Sequence, residues 1–400
     1  MASVGDTETR LKQESPVLAE PFQAAPVALI SAAHLTHDTY TAFLPPLLPE
    51  FIDKLGLLNV QAGSLAVFLQ LPSLLQPLIG QLSARWDLRY FAILGPAVTA
   101  IAMSLLGVAP NYAWLALLLV IAGSSSAAFH AVVPVLAGRF SGQYLGRGMS
   151  FWMVGGELGR VLGPLVVVSA VALWGLQGTP WLMLAGLVAS ALLWWQLRGV
   201  PVHATQAEPA SSSWRDALRD MFPVLGPLIG LIMARSFMGA ALTTYLPIFL
   251  RDEGAALWLA GASLSILEVA GVAGALLGGS LSDRLGRKQV LLMSFVVTPL
   301  LMFVFLKAPG WGRFPLLLAL GFTSIAVTPV LMAFVQESFP EMRTLANGVY
   351  MALSFVIRAV VILAVGALGD VLGLRLTFTM CAGIALLGVP FILWLPVRRL

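Results

Sequence analysis

The chain is a succession of apolar runs whose length leaves few folds open. Twelve segments each have the length and composition to cross a bilayer, at 24–51, 61–82, 90–109, 112–138, 148–174, 179–198, 223–250, 257–281, 289–307, 314–337, 345–369 and 373–396. A spanning helix needs about 20 mostly apolar residues, and within lipid only helices and closed barrels satisfy every backbone group. Charged residues make up 10% of the chain and hydrophobic ones 58%, whereas soluble domains are about 25% charged. The expectation is an all-α polytopic membrane protein whose first partner is the lipid bilayer.

The charges outside the runs set an orientation. Most of the 23 Lys and Arg residues, among them Arg10, Lys12, Arg139, Arg147, Arg215 and Arg398, fall on one side of the twelve runs. Positive charge accumulates on the cytoplasmic side, so both termini are expected in the cytoplasm of a plasma (inner) membrane. Asp6, Glu8, Glu14 and Glu20 make the first residues unlike a cleaved signal peptide. Cys381 is the only cysteine, which excludes an intrachain disulfide and a multi-cysteine metal centre.

Several chemistries are excluded by motif. No G-x-x-x-x-G-K-[ST], H-E-x-x-H or G-x-S-x-G occurs, so ATP hydrolysis and the hydrolase chemistries of those motifs are not expected. No basic patch suits a nucleic acid. The reading is a non-enzymatic, monomeric chain without cofactor or metal, powered by an ion gradient or passive.

The longest internal polar stretch follows the sixth run. This divides the chain into a tail (1–23), a first bundle (24–198), a linker (199–222) and a second bundle (223–400). The bundles echo each other: TAFLPPLL (41–48) matches TTYLPIFL (243–250), and GQLSARWDLR (80–89) matches GSLSDRLGRK (279–288). Internal repeats of this kind are a signature of transporters whose substrate site lies between the repeats.

GSLSDRLGRKQVLL (279–292) resembles the G-x-L-x-D-R-x-G-R-[RK] loop motif of the major facilitator superfamily, at Gly279, Asp283, Arg284, Gly286 and Arg287. In this reading Gly279 and Gly286 permit close packing and a tight turn, and Asp283 caps or pairs with a neighbouring helix end. The first copy departs from the motif at Ala84 and Asp87. SLLQPLIG (73–80), AGSSSAAFH (122–130), VGGELGRVLGP (154–164) and the His34/Asp38 pair resemble the fosmidomycin resistance protein branch. Ala131, Glu157 and Arg160 depart from it. Gly159, Gly163 and Pro164 also resemble the helix 5 motif of the superfamily's drug antiporters, while glycines four apart serve equally as a packing seam. The resemblance implies twelve helices in two pseudo-symmetric six-helix bundles, the major facilitator fold, working by alternating access.

Ionisable residues inside the runs are His34, His37 and Asp38 in the first, His130 in the fourth, Glu157 and Arg160 in the fifth, Arg235 in the seventh, Glu268 in the eighth and Arg358 in the eleventh. The third, sixth, ninth and twelfth carry none, and in the implied fold these are peripheral. Charge inside a membrane is tolerated where it faces protein or water. His34, His37 and Asp38 share one helical face, and a carboxylate beside imidazole suits proton coupling, with Glu157 and Glu268 the second choice. Glu157 and Arg160, three apart, can instead neutralise each other. Arg235 and Arg358 have no acid on their own turn, so they need a partner across the cavity or a substrate anion. His130 and Gln70 are further candidates for substrate contact. The function expected is proton-coupled antiport exporting a small organic compound, anionic or amphiphilic. The alternative is an uptake symporter or facilitator for a metabolite anion.

Overall fold

The computed structural model describes residues 21–83, 86–199, 214–339 and 343–395. The tail to residue 20 and residues 200–213 of the expected linker lie outside the described residues. Every regular element among them is helical: α1 (Ala24–Thr41), α2 (Leu44–Leu55), α3 (Asn59–Gln70), α4 (Gln76–Ser83), α5 (Arg89–Ser104), α6 (Tyr112–Ser141), α7 (Leu145–Trp174), α8 (Met183–Leu197), α9 (Trp214–Ala240), α10 (Leu246–Asp252), α11 (Leu257–Leu285), α12 (Arg287–Lys307), α13 (Arg313–Ile325), α14 (Val327–Ser338), α15 (Arg343–Leu372), α16 (Leu374–Leu386) and α17 (Gly388–Trp394). Ten stretches among the described residues have the length and composition to cross a membrane. One of them runs from Tyr112 to Trp174 and joins α6 to α7 through a short 3-10 turn.

Several expected single helices are broken, and proline accounts for three of the breaks. The first run turns at Ala42 and Phe43, and α2 restarts with prolines in its first turn. Proline's missing N–H costs nothing there and its φ is already helical. The matching TTYLPIFL segment behaves alike: a π-turn at Ala241–Tyr245 precedes α10, which again has proline in its first turn. The second run breaks into α3, a 3-10 stretch (Leu71–Leu75) containing Pro72, and α4. Helix α9 already begins at Trp214, within the stretch read as linker.

Packing differs between the two ends of the molecule. At the end holding Asn59 and Asp370, one apolar cluster joins Phe43, Leu47 and Leu65 of the N-terminal part to Tyr245, Phe249 and Val365 of the C-terminal part. Towards the other end each part has its own cluster, one around Ile30, Phe129 and Leu136 and one around Leu231, Leu331 and Ile392.

The shared end is also stitched by polar contacts. Asp370 accepts hydrogen bonds from the backbone N–H groups of Asn59 (2.6 Å) and Val60 (3.0 Å), capping α3 from across the molecule. The carboxylate meets both orphan donors and the positive end of the helix dipole. Tyr245 Oη donates to the Ile362 carbonyl at 2.8 Å, and Gly63 and Gly366 leave room for it: a Cβ at either would overlap the phenol oxygen. Trp258 donates to Ser169, and Ser265 to the Val161 carbonyl.

Candidate functional site: a histidine–aspartate cluster and an arginine-lined cavity

Four glycines on one face of α7 bring α1 within backbone contact. A Cβ at Gly155, Gly156, Gly159 or Gly163 would overlap Ser31, His34, Leu35 and Thr39 respectively. The glycine motif is therefore a packing seam, and it holds the helix that carries His34, His37 and Asp38.

The expected trio is brought together and extended by His130 from α6. Asp38 Oδ1 lies 3.0 Å from His37 Nδ1 and 3.4 Å from His130 Nε2, while Oδ2 lies 3.4 Å from His34 Nε2. His34 and His130 approach through their Nε2 atoms at 3.2 Å. His34 Nδ1 donates to the Trp152 carbonyl (2.8 Å) and its ring stacks on that indole, centroids 4.2 Å apart. His130 Nδ1 donates to the Ser126 carbonyl at 2.9 Å. His37 stacks on Phe129, and its Nε2 meets Thr99, which donates on to Ser125 and thence to the Gly95 carbonyl. The side chains of His34, His37 and Asp38 are 5%, 0% and 6% exposed, that of His130 24%, so the cluster is reached past His130.

A cavity of about 490 Å³ lies beside it, bounded by α9, α11, α12, α14 and α15 with Arg160 reaching in from α7. Ligand sites commonly measure about 300–1,000 Å³. Arg160, Arg235, Glu268 and Arg358 all line it, as the buried charges predict. Arg160 is paired with Glu157 on its own helix, the mutual neutralisation that spacing allows. Arg235 and Arg358 have no ion-pair partner among the described residues. Arg235 donates to Thr328, and Arg358 to Thr243 at 2.9 Å. Three buried polar atoms of residues that line the cavity have no partner among the described residues: Arg358 Nε, Thr298 Oγ1 and Ser354 Oγ.

Other expectations need correction. Gln70 closes α3 and is not among the residues lining the cavity. In the loop motif Gly286 turns as expected, at φ +94°, but a Cβ at Gly279 would meet nothing within 4 Å, so that glycine makes no close approach. Asp283, near the end of α11, pairs with Arg287, the first residue of α12, at 2.6 Å, which is the neighbouring-helix contact expected of it, and Arg287 also pairs with Glu337 of α14 at 2.7 Å. Arg284 is exposed. The third and ninth runs are not wholly peripheral, since Thr99 joins the cluster and Thr298 the cavity. Charge spacing could not find these, because a hydroxyl can bond its own helix backbone anywhere.

A polytopic helical protein with buried charge gathered at a central cavity has the form of a membrane transporter. The family model of the Major Facilitator Superfamily matches residues 30–361 and 265–400, and the chain belongs to that superfamily. It is 25% identical over 379 residues to the fosmidomycin resistance protein of Escherichia coli (strain K12), covering 92% of each chain. It is 24% identical over 369 residues to the uncharacterized MFS-type transporter YfnC of Bacillus subtilis (strain 168), covering 90% of each. Its fold is similar to that of a bacterial homolog of the human lysosomal transporter Spinster in an inward-facing, unoccupied conformation (TM-score 0.79, 13% identity, 93% of this chain and 96% of that one). It is also similar to the nucleoside transporter NupG (TM-score 0.72, 16% identity, 93% and 99%). Superfamily members are transporters, and this chain is a multi-pass secondary transporter rather than an enzyme.

Proposed function

We propose that the protein is a proton-coupled antiporter that exports a small organic anion from the cytoplasm, and that the arginine-lined cavity is where the anion sits. One observation carries this reading: the unpartnered Arg358 Nε, Thr298 Oγ1 and Ser354 Oγ all belong to the same cavity. Buried donors without acceptors are costly, and an oxyanion supplies the acceptors. A guanidinium fork suits carboxylate, phosphate or phosphonate, and the likeness to the fosmidomycin resistance protein agrees with an exporter.

In this reading the chain crosses the membrane twelve times. Tyr112–Trp174 counts as two crossings and Ala24–Leu55 as the first. The six-helix bundles meet at 199–222, both termini are cytoplasmic, and the shared apolar cluster with Asp370 and Tyr245 closes the outer end. The two separate clusters mark the inner end, where the cavity opens. Protons couple first at Asp38 with His34 and His37, then at Glu268 and Glu157. The transporter acts as a monomer.

The test is dye-reported proton movement in proteoliposomes under an imposed pH gradient, with carboxylates, phosphonates and lipophilic cations added in turn. An anion that triggers proton flux is the expected result. A response confined to cations would overturn the substrate class. Anion flux without proton movement would favour the facilitator.

A further inference from the structure

We infer that His34, Asp38 and His130 form a binding site for a divalent transition-metal ion of the zinc type. A carbonyl oxygen only accepts, so the contacts to the Trp152 and Ser126 carbonyls place a hydrogen on Nδ1 of both His34 and His130. In neutral rings both Nε2 atoms are then bare acceptors, and they face each other and a carboxylate.

The spacing has a specific form. His34 Nε2 to His130 Nε2 is 3.2 Å, and each is 3.4 Å from an oxygen of Asp38. Two nitrogens bound to one tetrahedral zinc ion at about 2.0–2.1 Å lie about 3.3–3.4 Å apart. The two imidazole nitrogens thus sit at the spacing of two corners of a zinc-sized tetrahedron, and the Asp38 carboxylate, one oxygen towards each ring, is within reach as the third ligand. Both imidazoles are oriented by a backbone carbonyl on the far nitrogen, the arrangement that usually supports metal-bound histidine. Two nitrogen ligands favour zinc, cobalt or nickel over magnesium or calcium, which take oxygen. The partly exposed His130 gives an entry side, and Trp152 and Phe129 wall off the rest. An ion seated there ties α1 to α6 and competes with protons for Asp38, His34 and His130.

The test needs neither substrate nor gradient, so its outcome is separate from that of the transport reading. Purified, chelator-treated protein in detergent is titrated with Co²⁺ and followed by visible absorption. The expected result is one equivalent bound with the intense ligand-field bands of a four-coordinate site, displaced by Zn²⁺. His130→Ala should weaken binding by more than about 100-fold, beyond the usual loss from a supporting residue. Glu268→Gln should leave it unchanged. His130→Cys should keep the ion and add a thiolate charge-transfer band, which no purely structural role for His130 would produce. Co²⁺ binding that is absent, or equal in the wild type and His130→Ala, would overturn the site.

Discussion

The histidine–aspartate cluster and the arginine-lined cavity are both charged and built on neighbouring helices, yet their hydrogen bonding differs. In the cluster every imidazole nitrogen and both Asp38 oxygens have a neighbour within 3.4 Å. In the cavity, among the described residues, two arginines lean on threonine hydroxyls alone and three polar atoms have no partner. A group whose bare acceptors converge on one another suits a small cation. One whose unpartnered donors belong to residues lining a cavity of about 490 Å³ suits a molecule. Charge count does not distinguish an ion site from a substrate site, but the kind of group left facing its neighbours, acceptor or donor, does.

The comparison breaks most sharply at Asp38. Asp38→Asn keeps the shape and removes the charge that three imidazoles surround. Accumulation driven by a pH gradient should disappear, while gradient-free exchange of labelled substrate persists. If gradient-driven uptake survives intact, coupling lies elsewhere and the division of labour fails.

Arg358→Met tests the other side. Truncating one partner of a desolvated charged contact costs about 2–5 kcal/mol, so substrate affinity should fall by about 30-fold or more. Co²⁺ binding at the cluster should be unmoved. Tight substrate binding by the variant, measured by calorimetry in detergent, would remove Arg358 from the site.

Gly156→Ala sharpens the link between seam and cluster. The new methyl would overlap the His34 ring, and overpacking typically costs about 1–3 kcal/mol. Thermal melting in detergent should drop, with proton coupling impaired before substrate binding. A smaller effect is expected from Glu157→Gln. The Glu157–Arg160 pair lies on one helix with the Arg160 side chain 43% exposed, and pairs of that kind contribute about 0.2–1 kcal/mol. A large loss of transport would mean that Glu157 couples protons and does not merely neutralise Arg160.

How far the sequence anticipated the two sites follows from the same distinction. Charges were legible because a membrane tolerates them only where they face protein or water. Asp38, His34 and His37 meet as expected, His130 joins them where a separate substrate contact was expected, and Arg160, Arg235, Glu268 and Arg358 share the cavity. Thr99, Thr298 and Ser354 were not legible, since hydroxyls are common in apolar helices and mostly bond to their own backbone. The Trp152 carbonyl could not be read at all, because any residue type offers one. The break before Pro45 and Pro46 had a signal in the prolines themselves, but the run was read as one helix because its apolar character continues across the turn.

The smallest effect is expected at Glu253, a carboxylate that two arginines approach at the end where the two parts share one apolar cluster. Arg375 approaches it at 2.5 Å and Arg313 at 2.9 Å. The hydrogen bond from Arg375, with that from Arg313, holds its carboxyl below the ordinary value. A depressed carboxylate contributes stability that is present above its unfolded pKa, about 4.3, and is lost as pH falls through the lower folded value. Melting temperatures of the wild type and Glu253→Gln should therefore differ modestly at neutral pH and converge as pH drops below about 4. The difference should stay small because the Glu253 side chain is 24% exposed and that of Arg375 52%, so water screens the pair. A destabilisation at neutral pH as large as that from Gly156→Ala would mean that two arginines in water hold a carboxylate as firmly as packing holds a buried cluster, and burial would lose its place in the comparison.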